Sequence, residues 1–521
     1  MWIKLKTLFL FLCSIGLSAT LLFASCENTD AGGGGTGTGG GTGSGTGSGG
    51  SGGGSGTGIP TPTGELKAFP EAEGFGAHAS GGRGGQVIYV TNLNASGPGS
   101  LRAALEAEGP RTILFKVSGL IDTAAEIIHG DVTIAGQTSP GGVIVRGLIC
   151  DEVYEPIGDC DNLIVRHLRS RPRDFEDFPS PNYLLEDALR LDGVTNAIYD
   201  HLSLANALDE TAQVSQSSNI TIQNSILAEL VNPDHVDLGG MLINYSTAAL
   251  PMDNLSIHHN LWNRLGGRMP EISCESPDCA GRHIDIELSN NMAWDPRIAI
   301  WYNPSTEPGG GGPNFHLNLN WVNNYWAAPA SFTHGMILDN VLSESENNLF
   351  FSGNRMNLYP ALSDEELAWC CNDFSTSGPN TTAPLATMLA ARHDFPAITY
   401  TPTADLQNYM IDNVGAFPRD PMDRRLIGHL ELGTFSGAPI DADQGDAWDT
   451  EPAPAAPTDI DNDGMPDAWE TAHGLDPSAA NHNGIDLSSD SLNGIWGCTE
   501  GYTNLECYLN ELAYLRVTTG S

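Results

Sequence analysis

Short stretches that alternate apolar and polar residues recur along the middle of the chain, each with an asparagine or another turn residue at its edge. They lie at residues 132–134, 162–168, 196–202, 219–226, 254–261, 283–288 and 316–321. The leading residues Asn162, Asn196, Asn219 and Asn254 are separated by 34, 23 and 35 positions. This spacing is typical of the coils of a repeat, in which short strands stack in parallel with aliphatic side chains inside and asparagines at the corners.

The pattern predicts an all-β fold, and more specifically a right-handed parallel β-helix. A β-sandwich is the alternative, but regularly spaced two-residue hairpin turns are missing from the sequence, and this counts against it. From about Ala361 to Arg425 the sequence becomes helix-like, with Ser363 as an N-cap before an acidic first turn. We expect this region to form a cap of helices and loops on the end of the β-helix.

The N-terminal residues are typical of an export signal. Lys4 and Lys6 precede an apolar run that ends at Phe23, and Leu22 to Cys26 resembles a lipobox in which Cys26 becomes the lipidated first residue. We therefore predict a signal peptide over residues 1–25 and an extracellular or outer-membrane, cell-surface lipoprotein of a bacterium. Simple secretion is the alternative. A membrane contact is expected only through the lipid anchor.

Composition divides the rest of the chain. Residues 26–64 form a Gly/Ser/Thr-rich linker, residues 65–450 form the β-helix domain, and a Pro/Ala-rich linker over 451–458 precedes a small module at 459–521. The 64 acidic and 23 basic residues give a net charge of −41, which argues against nucleic acid or an anionic membrane surface as a partner. We expect a monomer.

Ten cysteines in an exported chain indicate disulfides. Cys13 is removed with the signal and Cys26 takes the lipid, which leaves eight. Close spacing makes three local bridges the leading candidates: Cys150 with Cys160, Cys274 with Cys279, and Cys498 with Cys507. A zinc site is the alternative, but no spacing among these cysteines makes a CxxC pair.

The C-terminal module begins with the spacing of a calcium-binding loop. Its acidic residues follow the pattern D-x-D-x-D-G-x-x-x-x-x-E, with candidate ligands Asp459, Asp461, Asp463, Asp467 and Glu470 around Gly464. Alternate carboxylates would face one centre, the glycine permits a sharp turn, and the last glutamate can bind with both oxygens. A solvated acidic linker is the alternative. A weaker segment at 481–486 and 501–506 resembles the closing half of dockerin-like or thrombospondin-type calcium repeats.

A second acidic pair lies within the repeats. Asp187 and Asp209 are 22 residues apart, about one coil, so their side chains are expected on one face of the β-helix. Carboxylates brought together in this way repel each other unless a hard cation joins them, and Ca²⁺ is the ion that prefers oxygen ligands. A hydrogen-bonded turn is the alternative for either aspartate alone.

Several sequence blocks together resemble the pectate lyases of polysaccharide lyase family 1. They are Glu73-Gly74-Phe75-Gly76, the glycine-rich run from Gly81 to Gly85, Tyr89-Val90-Thr91-Asn92-Leu93, Gly99 to Ala104, Thr133 to Thr138, Asp187-Ala188 and Asp200-His201. The likeness covers roughly Phe69 to Asn354. It implies a right-handed β-helix, an extracellular location, and a Ca²⁺-dependent β-elimination on polygalacturonate.

The resemblance also implies roles for individual residues. Asp187 and Asp209 match the acidic positions that bind calcium in that family. Arg268, within Arg268-Met269-Pro270, matches the arginine that takes the substrate proton, and a clamp on developing negative charge is the other role open to it. His201 is expected to be structural, and Asp174 and Glu186 are possible further ligands.

The chain departs from the family pattern in three places. Ser273 stands where a second arginine is expected, Gln213 stands where an acidic residue is expected, and no lysine follows Lys116. Arg264 and His235 are the candidates for the missing substrate-binding cations. A non-catalytic surface protein that binds acidic glycans is therefore the alternative function. A polygalacturonase-type hydrolase would need clustered catalytic aspartates without Ca²⁺, for which residues 174–177 are a poor candidate.

Overall fold

The computed structural model describes residues 66–151, 159–173, 186–232, 239–307, 311–369, 374, 378–379, 383–437 and 443–520. All of them belong to one compact unit, residues 62–521. The predicted signal peptide, the lipidation site Cys26, the linker over 26–64, Asp174 and His235 lie outside the described residues.

Three parallel sheets form the body of the protein, and from β2 to β24 each successive strand along the chain passes to another of them. Sheet 1 contains β1 (Gln86–Val90), β2 (Arg111–Phe115), β5 (Val132–Ala135), β8 (Leu163–Arg166), β11 (Thr195–Asp200), β14 (Ser218–Gln223), β17 (Asp253–His258), β20 (His283–Ser289), β23 (His316–Val322), β26 (Asn348–Ser352) and β29 (Thr387–Met388). Sheet 2 contains β3 (Gly119–Leu120), β6 (Val143–Val145), β9 (Arg169–Ser170), β12 (Ser203–Ala207), β15 (Ile226–Leu230), β18 (Leu261–Asn263), β21 (Met292–Trp294), β24 (Tyr325–Ala327) and β27 (Arg355–Met356).

Sheet 3 completes each coil. It contains β4 (Ala125–Glu126), β7 (Leu148–Asp151), β10 (Leu189–Asp192), β13 (Ala212–Ser215), β16 (Met241–Asn244), β19 (Glu271–Ile272) and β22 (Trp301–Tyr302). A separate pair joins β25 (Ile337–Leu338) to β28 (Ala368–Trp369). Strands that recur in every third position, all paired in parallel, make a parallel β-helix, so the prediction of that fold is confirmed and the β-sandwich alternative is excluded.

The register explains the alternation seen in the sequence. One inward-facing position of sheet 1 is occupied on successive coils by Ile113, Ile134, Val165, Tyr199, Ile222, Ile257, Leu288 and Trp321. These side chains are buried in one continuous apolar core. Because each coil buries its apolar face only against the next coil, the core grows along the stack as in other repeat folds.

Asparagines line two corners of the β-helix. Asn260, Asn291, Asn324 and Asn354 form a buried ladder in which each side-chain amide donates to the next carbonyl oxygen at 2.9–3.2 Å. At the other corner the leading asparagines adopt left-handed backbone conformations, with φ of 60° at Asn162 and 55° at Asn254. Asparagine tolerates that region better than other non-glycine residues, which accounts for its recurrence in the sequence pattern.

Helices are few. They are α1 (Leu101–Leu105), α2 (Asn340–Ser343), α3 (Leu406–Asn413), α4 (Pro421–Leu432), α5 (Asp467–Ala472) and α6 (Asn504–Thr519), with 3₁₀ turns at Gly136–Thr138, Pro277–Cys279 and Asp364–Leu367. None of the described helices is long and apolar enough to cross a membrane.

The helical cap differs in place from the prediction. Its helices begin at Leu406 and pack on the side of the β-helix, against the outer face of sheet 2. The cause is the apolar character of that face, which carries Ala205, Ala228, Leu261, Met292 and Trp294. Such a face needs a cover, and α3 and α4 supply it.

Salt bridges fasten the helical cap to the β-helix. Arg171, directly after β9 of sheet 2, donates to Asp420 at 2.6 Å and to Asp423 at 2.9 Å, and all three side chains are buried. Disulfides join Cys150 to Cys160, Cys274 to Cys279 and Cys498 to Cys507, with Cα–Cα distances of 6.1, 6.4 and 4.5 Å.

Candidate functional site

Three coils bring the candidate active-site residues to one corner of the β-helix. Asp187 lies two residues before β10, Glu210 lies two residues before β13, and Arg268 lies three residues before β19. The strands β10, β13, β16 and β19 are consecutive in sheet 3, and Glu271, the first residue of β19, pairs with Leu242, the second residue of β16. Asp187, Glu210 and Arg268 therefore share one register position and stack along the corner. Register therefore pairs Asp187 with Glu210 rather than with Asp209 alone, which sequence spacing did not reveal.

The acidic cluster contains Asp187, Asp209 and Glu210. One carboxylate oxygen from each lies within 4.8 Å of the others. Asp187 is fully buried, and its two oxygens accept hydrogen bonds from the Glu210 backbone N–H and from Arg190 Nη1, both at 2.9 Å. Three oxygens at this separation are a suitable donor set for a hard divalent cation.

Burial changes the acidity of this cluster. Desolvation raises the pKa of Asp187 to about 7, since the charge of Arg190 opposes it only in part and Asp209 adds to it. Desolvation, followed by the negative charge of Asp209, also raises the pKa of Glu210 well above the ordinary value. Both shifts reflect carboxylates that lack enough positive charge nearby.

Arg268 is held by two carboxylates. Its Nε donates to Glu271 Oε2 at 2.8 Å, and its Nη1 pairs with Glu210. Burial lowers the pKa of Arg268, but Glu210 and Glu271 outweigh this and raise the pKa above its usual value. The guanidinium is therefore charged. Its backbone adopts a left-handed conformation with φ of 53°, which is strained for a bulky residue and is common at functional sites.

Arg190 is the residue that sequence reasoning missed. It is buried between sheet-3 carboxylates, and it donates from Nη1 to Asp187 at 2.9 Å and from Nε to Asp192 at 2.6 Å. It also contacts Gln213, its register partner on the next coil, at 3.3 Å. A glutamine at 213 can both accept from Arg190 and donate to Ser215, which a carboxylate cannot do. The spacing of 23 residues between Arg190 and Gln213, about one coil, was the sequence signal that could have revealed this contact.

Ser273 and Arg264 are both buried. Ser273 is buried, and its backbone N–H donates to Ile243 O at 3.0 Å. Arg264 is 2% exposed and pairs through Nε with Glu229 Oε1 at 2.8 Å, at the end of the strand that carries the helical cap. The substrate-binding role of Arg264 stays a prediction.

His201 lies in a buried cluster apart from this corner. Its Nδ1 is 2.8 Å from Asp200 Oδ1, and its ring stacks on His167 with centroids 4.8 Å apart. Asp200 also accepts from Arg166 Nε at 2.8 Å. These contacts tie neighbouring coils together, which agrees with the structural role expected for His201.

The predicted C-terminal calcium loop forms a second acidic cluster. One oxygen from each of Asp459, Asp461 and Asp463 lies within 4.8 Å of the others. Glu470 follows in α5 and is fully buried, and neither of its carboxylate oxygens has a hydrogen-bond partner among the described residues. Burial and then the charges of Asp463 and Asp461 raise the pKa of Glu470 to about 7. Asp467 Oδ1 accepts from the Ile460 N–H at 2.9 Å and shapes the loop.

Comparison with known proteins places the chain in a family. No protein-family model matches the sequence. The chain is 31% identical to the "Probable pectate lyase C" of Aspergillus flavus over 462 residues, which cover 86% of this chain and 95% of that protein. It is also 31% identical to the protein of the same name from Emericella nidulans over 464 residues, which cover 86% and 94% of the two chains.

Among solved structures, a thermostable pectate lyase matches with a TM-score of 0.43 and 14% sequence identity, over 67% of this chain and 97% of that one. The family assignment depends on the sequence relatives, which are fungal and match almost along their whole length. The chain belongs to the pectate lyase family of enzymes.

Proposed function

We propose that the chain cleaves pectate, or a related polyuronate, by β-elimination with Ca²⁺ as cofactor. The observation that carries this proposal is the juxtaposition of the Asp187, Asp209 and Glu210 carboxylates with the Arg268 guanidinium at one corner of the β-helix. The names of the fungal relatives support the choice of reaction.

The donor set at this corner fits calcium. Within the described part of the chain, five carboxylates, from Asp187, Asp192, Asp209, Glu210 and Glu271, lie around two guanidiniums, from Arg190 and Arg268. The surplus negative charge would repel an acidic polymer, so a divalent cation is needed to bind one. Asp187 and Asp209, with Glu210, are the residues that would hold it.

A bound calcium ion would neutralise a substrate carboxylate and acidify the adjacent proton on carbon five. The residues of the chain supply the remaining steps. Water takes the carbon-five proton and returns a proton to the expelled oxygen on carbon four, while Arg268 stays charged and stabilises the negative charge that develops. Glu210 and Glu271 fix the direction of the Arg268 guanidinium. This charged state favours the clamp over a neutral arginine base, whose reference pKa is above about 12.

An absorbance assay tests the reaction directly. Elimination creates a double bond in the uronate product, so a panel of polyuronates is followed by ultraviolet absorbance with calcium and with a chelator. We expect new absorbance on at least one polyuronate, lost in chelator and restored by Ca²⁺. Reducing ends without absorbance would indicate a hydrolase, and no product on any polyuronate would eliminate the lyase proposal.

The alternative is a non-catalytic protein that binds acidic glycans. One observation favours it: Arg268 already pairs with two carboxylates, and the uncharged Ser273 stands where a second arginine is expected. Tight polyuronate binding without any product would support this alternative.

We further propose that Asp459, Asp461, Asp463, Asp467 and Glu470 bind a second calcium ion. Glu470 is fully buried and its carboxylate has no hydrogen-bond partner in the described ranges, which supports this site. We also propose an extracellular or cell-surface monomer anchored through a lipid on Cys26. Mass spectrometry of the mature N-terminus tests the lipid, and loss of membrane association in Cys26→Ser is the expected result.

A further inference from the structure

The outer face of sheet 1 is apolar at its first strands. Leu114 and Ala135 neighbour the inward-facing Ile113 and Ile134, so they point away from the core, yet both are fully buried. They are covered by residues of the C-terminal segment 459–520, namely Met465, Leu505, Tyr508 and Leu509. This segment therefore covers a surface that the β-helix cannot leave exposed to water.

Polar contacts fasten the same segment to the coils. Arg83 Nε pairs with Glu506 Oε1 at 2.6 Å. Arg516 in α6 donates to the carbonyl oxygens of Gln137 at 3.1 Å and Ser139 at 2.9 Å. Contacts at both ends of α6 hold that helix along the first coils.

The acidic loop lies at the junction between the segment and the β-helix. Gly464 has φ of 105°, and a Cβ there would lie 2.9 Å from side-chain atoms of both Leu114 and Leu505. Tyr89 on β1 donates its hydroxyl to Asp459, and Lys116 Nζ donates to Asn462 Oδ1 at 3.1 Å. The shape of the loop is thus linked to its fit against β1 and β2.

The loop places like charges together without a matching cation. Glu470 is fully buried, and both of its oxygens and one oxygen of Asp461 lack a hydrogen-bond partner among the described residues. An uncompensated buried carboxylate is costly in free energy, and the repulsion from Asp459 and Asp463 adds to that cost. An ion that joins these oxygens would remove both costs.

We propose that calcium in this loop acts as a clamp that fastens residues 459–520 over the outer face of β1, β2 and β5. The inference rests on the second calcium site proposed above and adds its consequence. With the ion bound, the loop keeps the shape that seats Gly464 and Met465 against Leu114. Without the ion, repulsion opens the loop, loosens α6, and exposes Leu114 and Ala135.

Binding to the loop is tested with terbium as a calcium probe. Tyr89 contacts Asp459, and Trp469 lies beside Glu470 in α5, so aromatic excitation should produce sensitised terbium emission that calcium competes away. Glu470→Gln should lower the terbium affinity read from this signal by about tenfold or more. Asp209→Asn, a matched loss of one carboxylate at the other cluster, should leave it unchanged. Absence of a loop-specific signal would overturn the calcium loop and the clamp together.

The clamp is tested by thermal unfolding and subtilisin digestion of the full chain, with calcium and with chelator. We expect calcium to raise Tm and to protect residues 459–520 from cleavage, and Glu470→Gln to lose most of both effects while Asp209→Asn keeps the protection. Tyr89→Phe retains the ring and removes the bond to Asp459, so it should show an intermediate loss even if Glu470→Gln folds poorly. Terbium binding without calcium-dependent protection of 459–520 would overturn the clamp and leave the ion site standing.

Discussion

The two acidic clusters use the same oxygen donors in different surroundings. At the candidate active site, guanidiniums of Arg190 and Arg268 contact the carboxylates of Asp187 and Glu210. In the C-terminal loop, no described arginine or lysine forms a salt bridge with Asp459, Asp461, Asp463, Asp467 or Glu470. The first cluster keeps cations beside its proposed metal ligands, as a site that handles charged substrate requires. In the second, Lys116 contacts Asn462 rather than a carboxylate, and the loop packs against the β-helix, as suits the structural ion proposed for it.

The largest effect that tests the difference between the two clusters is expected for a substitution of Arg268. Arg268→Lys keeps one positive charge but loses the planar fork that Glu210 and Glu271 hold in place. We expect turnover to fall by about 10³-fold, the scale found when one preorganised charge-stabilising donor is lost. Steady-state elimination rates measure this, and calcium and polymer binding should remain.

Arg264→Lys is the matched control for that substitution. Arg264 pairs with Glu229, which also binds Arg425 of the helical cap, so its loss should lower Tm and leave turnover nearly unchanged. Equal losses of turnover in the two variants would show that Arg268 has no special role.

The proposed metal ligands of the candidate active site are expected to give the next largest effect. Asp209→Asn removes one carboxylate from the cluster near Asp187, and we expect the calcium concentration for half-maximal activity to rise by about 10- to 100-fold. Calcium titration of the elimination rate measures the change. Glu470→Gln should leave that concentration unchanged, and a shift of equal size in both variants would mean that the clusters do not act separately.

Glu210 should act by positioning Arg268. Glu210→Gln preserves size but removes the charge that pairs with the guanidinium, and we expect kcat to fall by about tenfold with a smaller change in KM. Partial recovery in Glu210→Asp and a shifted pH profile would mark a positioning role. A variant that loses only stability, with normal kcat and pH profile, would contradict it.

The sequence predicted the stacked coils and the C-terminal loop but only part of the active-site corner, and the difference has a physical reason. The alternation and the asparagines predicted the stacked coils, because repeat folds bury apolar residues only against neighbouring coils. The C-terminal loop could be found because its ligands are local in sequence. The active-site corner was found only in part, since Glu210 and Arg190 act through register between coils, which depends on the lengths of the turns.

The sequence pattern also did not predict the position of the helical cap. The helices were expected at the end of the β-helix, and they cover sheet 2 instead because outward-facing residues such as Leu261, Met292 and Trp294 are apolar. Their outward direction becomes clear only when the register of Trp262 and Ala293 with the core is known.

The smallest effect we predict is a pH dependence of stability that calcium removes. The pKa values of Asp187 and Glu470 are both raised to about 7 in the folded chain, against ordinary values near 4 when unfolded. Between about pH 4 and pH 7 the folded state therefore binds more protons, so the stability of the calcium-free protein falls as pH rises through that window. Calcium needs the ionised carboxylates, so the rise in Tm that it causes should be larger at pH 8 than at pH 5.5. Asp187→Asn and Glu470→Gln should each remove part of this difference, and if Asp187→Asn alone removed all of it, the C-terminal loop would have no share in the calcium linkage.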